Sequence, residues 1–109
     1  MTKIDDTTKQ LPIEIPRSEL VQFCQRHYIR KLSLFGSVLR DDFTPESDID
    51  FLVEFEPGKI PGFFKIVSME MELAELFEGR KIDLRTPEEL SIYFRDRVMA
   101  EAVVQYDGN

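Results

Sequence analysis

Asp48 and Asp50 stand two residues apart at the head of an apolar run, Ile49 to Phe55. In an extended chain, side chains two apart project to the same side, within a few ångströms of each other. Carboxylates that close repel unless a cation lies between them. Hard oxygen donors of this kind suit Mg²⁺ or Mn²⁺. Asp83 lies in a second, shorter run, Lys81 to Arg85, with Ile82 and Leu84 on the opposite face. If the two runs are neighbouring strands, Asp83 joins the pair in a three-carboxylate site. Such a site can hold two divalent ions for phosphoryl or nucleotidyl transfer.

A phosphate cradle is encoded just upstream. Gly36 and Ser37 close the run that precedes the aspartates. Glycine lets a ligand approach the backbone closely, and Ser37 is placed to start a helix whose free N–H groups face an anion. Arg40, about one turn further on, can reach the same anion.

These residues need strands and turns to position them, and the hydrophobic pattern supplies both. Leu11 to Pro16 is proline-rich and reads as extended. A helix is expected from about Arg17 to His27, with Leu20, Phe23, Cys24 and His27 on one face. Ile29 to Phe35 changes to strand period, Leu32 and Leu34 alternating with Lys31 and Ser33. Ser37 to Phe43 is one or two helical turns, and Thr44 to Ser47 a turn. Ile49 to Phe55 is the strongest strand, with Phe51, Val53 and Phe55 on one face. A loop rich in proline and glycine separates it from a helix over Phe63 to Glu78, whose stripe is Phe63, Ile66, Val67, Met69, Leu73, Ala74, Leu76 and Phe77. Its glutamates read as a solvated face, and Gly79 as its C-terminal cap. Lys81 to Arg85 is a strand. Thr86-Pro87-Glu88-Glu89 carries helix-start signals, and Leu90, Phe94, Val98 and Ala102 repeat every four residues, so a last helix is expected to about Gln105. Tyr93, Phe94 and Val98 read as core, with a partner interface as the alternative for aromatic residues on the outer helices. Alternating strands and helices give an α/β (α+β) fold: a small mixed sheet of about three to four strands flanked by helices.

Composition sets the outer bounds. The 109 residues make one domain, with a formal net charge of −7 and a pI near 4.7. Such a chain lacks the Lys/Arg excess that drives sequence-independent binding to phosphate backbones, so no direct DNA or RNA binding is expected. Cys24 is the only cysteine, which rules out an internal disulfide and a cysteine zinc cluster. No stretch approaches the roughly 20 apolar residues of a membrane helix. The expected location is cytoplasmic.

The segment Gly36-Ser37-Val38-Leu39-Arg40-Asp41-Asp42-Phe43-Thr44-Pro45-Glu46-Ser47-Asp48-Ile49-Asp50 resembles the signature of the polymerase-beta-type nucleotidyltransferases: Gly-Ser, a ten-residue spacer, then Asp-x-Asp. More closely, the chain is similar to the minimal nucleotidyltransferases of bacteria and archaea, the antitoxin partners of HEPN-type ribonuclease toxins. The similarity extends to Arg80-Lys81-Ile82-Asp83-Leu84 and Thr86-Pro87-Glu88-Glu89-Leu90. It implies a nucleotidyltransferase-like domain over 17–106, after a partly loose extension over 1–16 and before a tail at 107–109. It also implies the roles. Gly36 and Ser37 would grip the β- and γ-phosphates of ATP. Asp48 and Asp50 would hold the Mg²⁺ or Mn²⁺ ions. Asp83 would be the third carboxylate, binding one ion and helping to activate the acceptor hydroxyl, and Arg40 a basic neighbour of the phosphates. Many relatives carry a small residue where this chain has Asp41, which is therefore expected to face solvent. The implied reaction moves AMP from ATP to a tyrosine hydroxyl of the partner toxin within a hetero-oligomer.

Each feature taken singly has a plainer reading. Gly36-Ser37 is a turn with a cap, Asp48 and Asp50 are a solvated strand entry or a turn whose Asp caps backbone N–H groups, and Asp83 is an outward residue on an edge strand. His27 reads as a helix-end residue and Cys24 as core. Two other functions compete: a binding module that neutralises its toxin by contact, and a small-molecule nucleotidyltransferase. The short stretch after Asp83 disfavours the second.

Overall fold

The computed structural model describes residues 11–108. Most of the expected extension, residues 1–10, and Asn109 lie outside the described residues. The elements are α1 (Arg17–Arg26), β1 (Ile29–Phe35), a 3-10 turn (Gly36–Leu39), β2 (Ile49–Phe55), α2 (Phe63–Leu76), β3 (Ile82–Arg85), a second 3-10 turn (Pro87–Glu89), α3 (Arg95–Glu101) and β4 (Val103–Asp107). The four strands form one mixed sheet in the order β3-β2-β1-β4. β1 runs antiparallel to both neighbours, while β2 and β3 are parallel and joined through α2.

One face of the sheet carries the core. Leu32 and Leu34 of β1, Ile49, Phe51 and Val53 of β2, and Ile82 and Leu84 of β3 pack with Leu20, Phe23 and Cys24 of α1 and Met69, Leu73 and Phe77 about α2. Ile29 shares that face although it lies three residues from Leu32, because a bulge at Arg30 shifts the register between Ile29 and Lys31. Leu11, Ile13 and Ile15 of the extended N-terminal stretch pack against the same core. Burial pushes the Cys24 thiol up to about 12, which leaves it an inert core residue. His27 closes α1, its ring 4.7 Å from that of Phe23 and its Nε2 2.9 Å from Glu72 Oε1. Glu72 also pairs with Arg26, so the glutamate face of α2 is partly engaged within the fold. The α2 helix ends as expected, with Gly79 in the left-handed region and its N–H donating to the Ala74 carbonyl at 2.8 Å.

The expected last helix does not form as one element. Glu89 accepts the Thr86 N–H at 2.8 Å, but the helix-start signals close only the 3-10 turn. The Arg95 guanidinium then donates to the carbonyls of Glu88 and Leu90, at 3.3 and 3.0 Å, which closes a bend where a helix would have continued. Helix starts again only at Arg95 and stops at Glu101, and Ala102 is extended. Val103 to Asp107 becomes β4 because β1 has a second edge of unpaired N–H and C=O groups, and β-branched and aromatic residues suit it. The expected tail is part of this pairing: Asp107 lies opposite Lys31, and the Gly108 N–H donates to the Arg30 carbonyl at 2.8 Å. The readings of Tyr93 and Phe94 as core are likewise corrected, at 92% and 45% exposed, as is Phe63 in the apolar stripe of α2 at 74%. Among the described residues no helix is long and apolar enough to cross a membrane.

These placements predict opposite outcomes for two substitutions. Leu73→Ala should cost about 2–5 kcal/mol in denaturant unfolding, because Leu73 is fully buried. Tyr93→Ser should stay within about 0.5 kcal/mol. Equal losses from the two would contradict the exposed placement of Tyr93.

Candidate active site

The face of the sheet opposite the core carries the chemistry. Alternation turns Asp50 away from Ile49 and Phe51, and turns Asp83 away from Ile82 and Leu84. The parallel register of β2 and β3 sets Asp50 directly opposite Asp83. The two runs are therefore neighbouring strands, as the three-carboxylate reading requires. Asp48 lies just before β2, two residues from Asp50. On the other side, Phe35 is opposite Asp50, so the Gly36–Ser37 turn that follows Phe35 sits beside the aspartates.

Contact between turn and carboxylate is close. Gly36 has φ of +80°, in the left-handed region. A Cβ there would collide with Asp50 Oδ2 and lie 3.2 Å from its Cγ. Glycine is thus required twice over, for conformation and for space. The Ser37 backbone N–H donates to the Asp50 carboxylate. The Ser37 hydroxyl donates to the Asp48 carbonyl at 3.4 Å, a long bond. The expected helix at Ser37 is only the four-residue 3-10 turn, too short for a helix dipole. Any anion binding there rests on turn amides and on the room that Gly36 leaves.

Burial raises the Asp50 carboxyl above its ordinary range, and the charges of Asp83 and then Asp48 raise it further. The Ser37 N–H and Arg85 pull against that rise without cancelling it. The flanking aspartates have their own cations. Arg85 grips Asp83 through both oxygens, its Nη2 donating to Oδ2 at 3.2 Å and its Nε in ion-pair contact with Oδ1 at 3.1 Å. Lys81 Nζ is 3.9 Å from Asp48 Oδ2, with the Lys81 side chain largely in solvent and that of Asp48 half-buried. Consequently, among the described residues no three His, Cys, Asp or Glu side chains converge as a ready-made metal cage. The donor set still fits a hard divalent cation. It offers carboxylate oxygens only, and the central one carries excess negative field that such an ion would relieve.

Arg40 is not brought to the aspartates. Its Nε is 3.4 Å from Asp42 Oδ1, both side chains are exposed, and it lines a groove of about 1850 Å³ that also borders Gly36. Asp41 is exposed, as expected. The sequence reading missed Lys81 and Arg85 as counter-charges. The signal was present, since each stands two residues from Asp83, on its face of the strand. Glu70 was also missed. Its carboxylate accepts the Leu84 N–H at 2.8 Å and so covers an amide on the free edge of β3.

This fold and site define a nucleotidyltransferase. Residues 17–104 match the nucleotidyltransferase domain family. A Methanocaldococcus jannaschii chain named as a protein adenylyltransferase is 34% identical over 90 residues, which is 83% of this chain and 92% of that one. The protein adenylyltransferase MntA of Thermococcus cleftensis is 33% identical over 79 residues, 72% of this chain and 77% of that one. A solved structure described as a minimal nucleotidyltransferase superposes with a TM-score of 0.65 at 30% identity, over 80% of this chain and 86% of that one. The fold also recurs, with a TM-score of 0.67 at 16% identity, over 84% of this chain and 73% of a chain from a toxin–antitoxin complex solved with AMP-PNP. The chain belongs to the nucleotidyltransferase domain family, among its protein adenylyltransferases.

An aspartate whose pKa is raised by folding contributes stability that is complete below its unfolded value, about 3.9, and lost as pH rises through the folded value. At pH 7 the ionised Asp50 therefore destabilises the native state. Asp50→Asn keeps an oxygen for the Ser37 N–H and removes the charge. It should raise stability at pH 7 by roughly 0.5–2 kcal/mol, at the expense of activity. The gain should shrink toward zero by about pH 4. Thermal unfolding of both proteins across that range measures it, and a pH-independent gain would contradict the charge-based account.

Proposed function

We propose that the protein transfers AMP from ATP to a tyrosine hydroxyl of a partner ribonuclease toxin of the HEPN type, and that it serves as the toxin's antitoxin. The observation that carries this reading is the register that sets Asp50 opposite Asp83, with Asp48 two residues before and the Gly36–Ser37 turn alongside. Relatives named as protein adenylyltransferases, and the recurrence of the fold in toxin–antitoxin complexes, support the choice of substrate and partner.

In this reading Gly36 and Ser37 receive the β- and γ-phosphates through the turn's backbone. Asp48, Asp50 and Asp83 would hold Mg²⁺ or Mn²⁺, which when bound neutralises phosphate charge and makes the acceptor hydroxyl more acidic. Asp83 orients that hydroxyl and takes up its proton. The tyrosine oxygen attacks the α-phosphorus in line, forming the new O–P bond as the bond from the α-phosphorus to the bridging oxygen breaks. Pyrophosphate leaves with the bonding pair, eased by the Ser37 donors. The toxin gains a phosphodiester charge and the bulk of AMP, which opposes approach of RNA to its site.

Labelled ATP, Mg²⁺ and the intact toxin supply the test. Label should move to the toxin, be lost with Tyr→Phe at the acceptor, and fall by at least about 10²-fold in the Asp48→Asn, Asp50→Asn double variant. No transfer to an intact partner would overturn the reading. A double variant that transfers nothing yet still silences the toxin would make neutralisation a matter of contact. Label appearing on a small acceptor with no protein partner would favour the small-molecule transferase.

A further inference from the structure

Arg80 lies between α2 and β3, and neither the motif nor the carboxylate set assigns it a task. Its Nη2 donates to two carbonyls of one turn, Thr44 and Ser47, each at 2.8 Å. Its guanidinium lies 4.5 Å above the centre of the Phe43 ring, within the range of a cation–π contact. Its Nε is buried with no hydrogen-bond partner among the described residues. An unpaired buried donor is unfavourable, so the side chain is held by its far end and by the ring rather than by complete satisfaction. The turn it grips is already closed on itself: the Ser47 N–H donates to the Thr44 carbonyl, and the Thr44 N–H to the Ser47 hydroxyl, both at 3.0 Å.

The two ends of this contact are the two halves of the site. Ser47 is the residue before Asp48, and Arg80 is three residues before Asp83. The backbone between them is joined again at the next step, where the Ile49 N–H donates to the Lys81 carbonyl at 2.9 Å. β2 and β3 fix Asp50 against Asp83 by strand pairing. Asp48 lies outside that pairing and depends on the turn before it.

We propose that Arg80 is a positioning residue: it ties the turn that delivers Asp48 to the start of the strand that carries Asp83, and so sets the separation of the carboxylates that bind a divalent cation. This rests on the metal-dependent reading above. Partners that orient ligands in this indirect way typically change metal affinity by about 10- to 100-fold when removed. Coulomb's law by itself predicts the reverse sign, because deleting a positive charge near three carboxylates strengthens cation binding. Direction therefore separates positioning from charge.

Mn²⁺ binding, measured alone and with a non-hydrolysable ATP analogue and followed by the paramagnetic signal of the ion, is the test, with thermal unfolding recorded beside it. R80A should remain folded and bind Mn²⁺ about tenfold more weakly than wild type. Millimolar guanidinium should restore part of the loss in R80A and leave wild type unchanged, an effect that simple destabilisation would not produce. R80K keeps the charge and much of the stem, and gives the same test should R80A fail to fold. Weaker Mn²⁺ binding by a folded R80K supports the proposal, and unchanged binding overturns it. Equal or tighter binding by a folded R80A also overturns it. A wild-type chain that binds no Mn²⁺, either alone or with a non-hydrolysable ATP analogue present, overturns the metal-dependent reading itself and this role with it, a result distinct from one confined to the variants.

Discussion

The structure is organised around like charges held side by side. Asp50 and Asp83 occupy opposed positions on adjacent parallel strands, with Asp48 close behind. Nothing about the carboxylates favours that arrangement, and burial makes it worse for Asp50. The opposite face of the same two strands supplies the compensation. Ile49, Phe51, Ile82 and Leu84 are each at most 4% exposed, so every residue adjacent to Asp50 in β2 or to Asp83 in β3 is a core anchor. A slip of one position in either strand would exchange the two sets, placing a carboxylate among the core side chains and an aliphatic residue in water. Register is thus fixed by the hydrophobic face, and the site inherits its geometry from that register.

Local cations moderate the repulsion without removing it. Arg85 holds both oxygens of Asp83, and Lys81 stands near Asp48, but among the described residues no basic side chain is bonded to Asp50. The central carboxylate keeps the raised pKa and the outer two carry the counter-ions. A site that kept a bonded cation on every carboxylate would have little attraction left for a metal ion. A site with none would pull its strands apart. The chain takes an intermediate course, and both basic residues come from the short run Lys81 to Arg85, each two positions from Asp83.

Legibility of the sequence follows the same physics. β1 and β2 have the boundaries expected from alternation, because an apolar run with one buried face has one solution. The aspartates and Gly36–Ser37 are legible as well, since their spacing is short and the strands leave little freedom between them. The region after β3 is not. Leu90, Phe94, Val98 and Ala102 have helical spacing, yet none of them is buried, so no core contact enforces the helix they suggest. What decides the local structure is long-range: the open edge of β1, which draws Val103 to Asp107 into the sheet. A periodic pattern seen in one segment carries no information about an unpaired strand seventy residues earlier. The short helix expected at Ser37 is a related case: a four-residue 3-10 turn forms there, and Arg40 beyond it pairs with Asp42.

In the proposed reaction the Gly36–Ser37 turn would hold phosphates, but it is built against a carboxylate. The missing Cβ of Gly36 is the space that Asp50 Oδ2 needs, and the Ser37 N–H is bonded to the same carboxylate. That amide can serve one anion well. A phosphate gripped by it must take the bond that Asp50 holds, and an aspartate that gives up the bond needs another source of positive field. The two demands meet if Asp50 turns toward a cation shared with Asp48 and Asp83 as the phosphate arrives. In the proposed reaction, nucleotide and metal binding would then be coupled through a single backbone N–H, and the glycine would serve the aspartate as much as the phosphate.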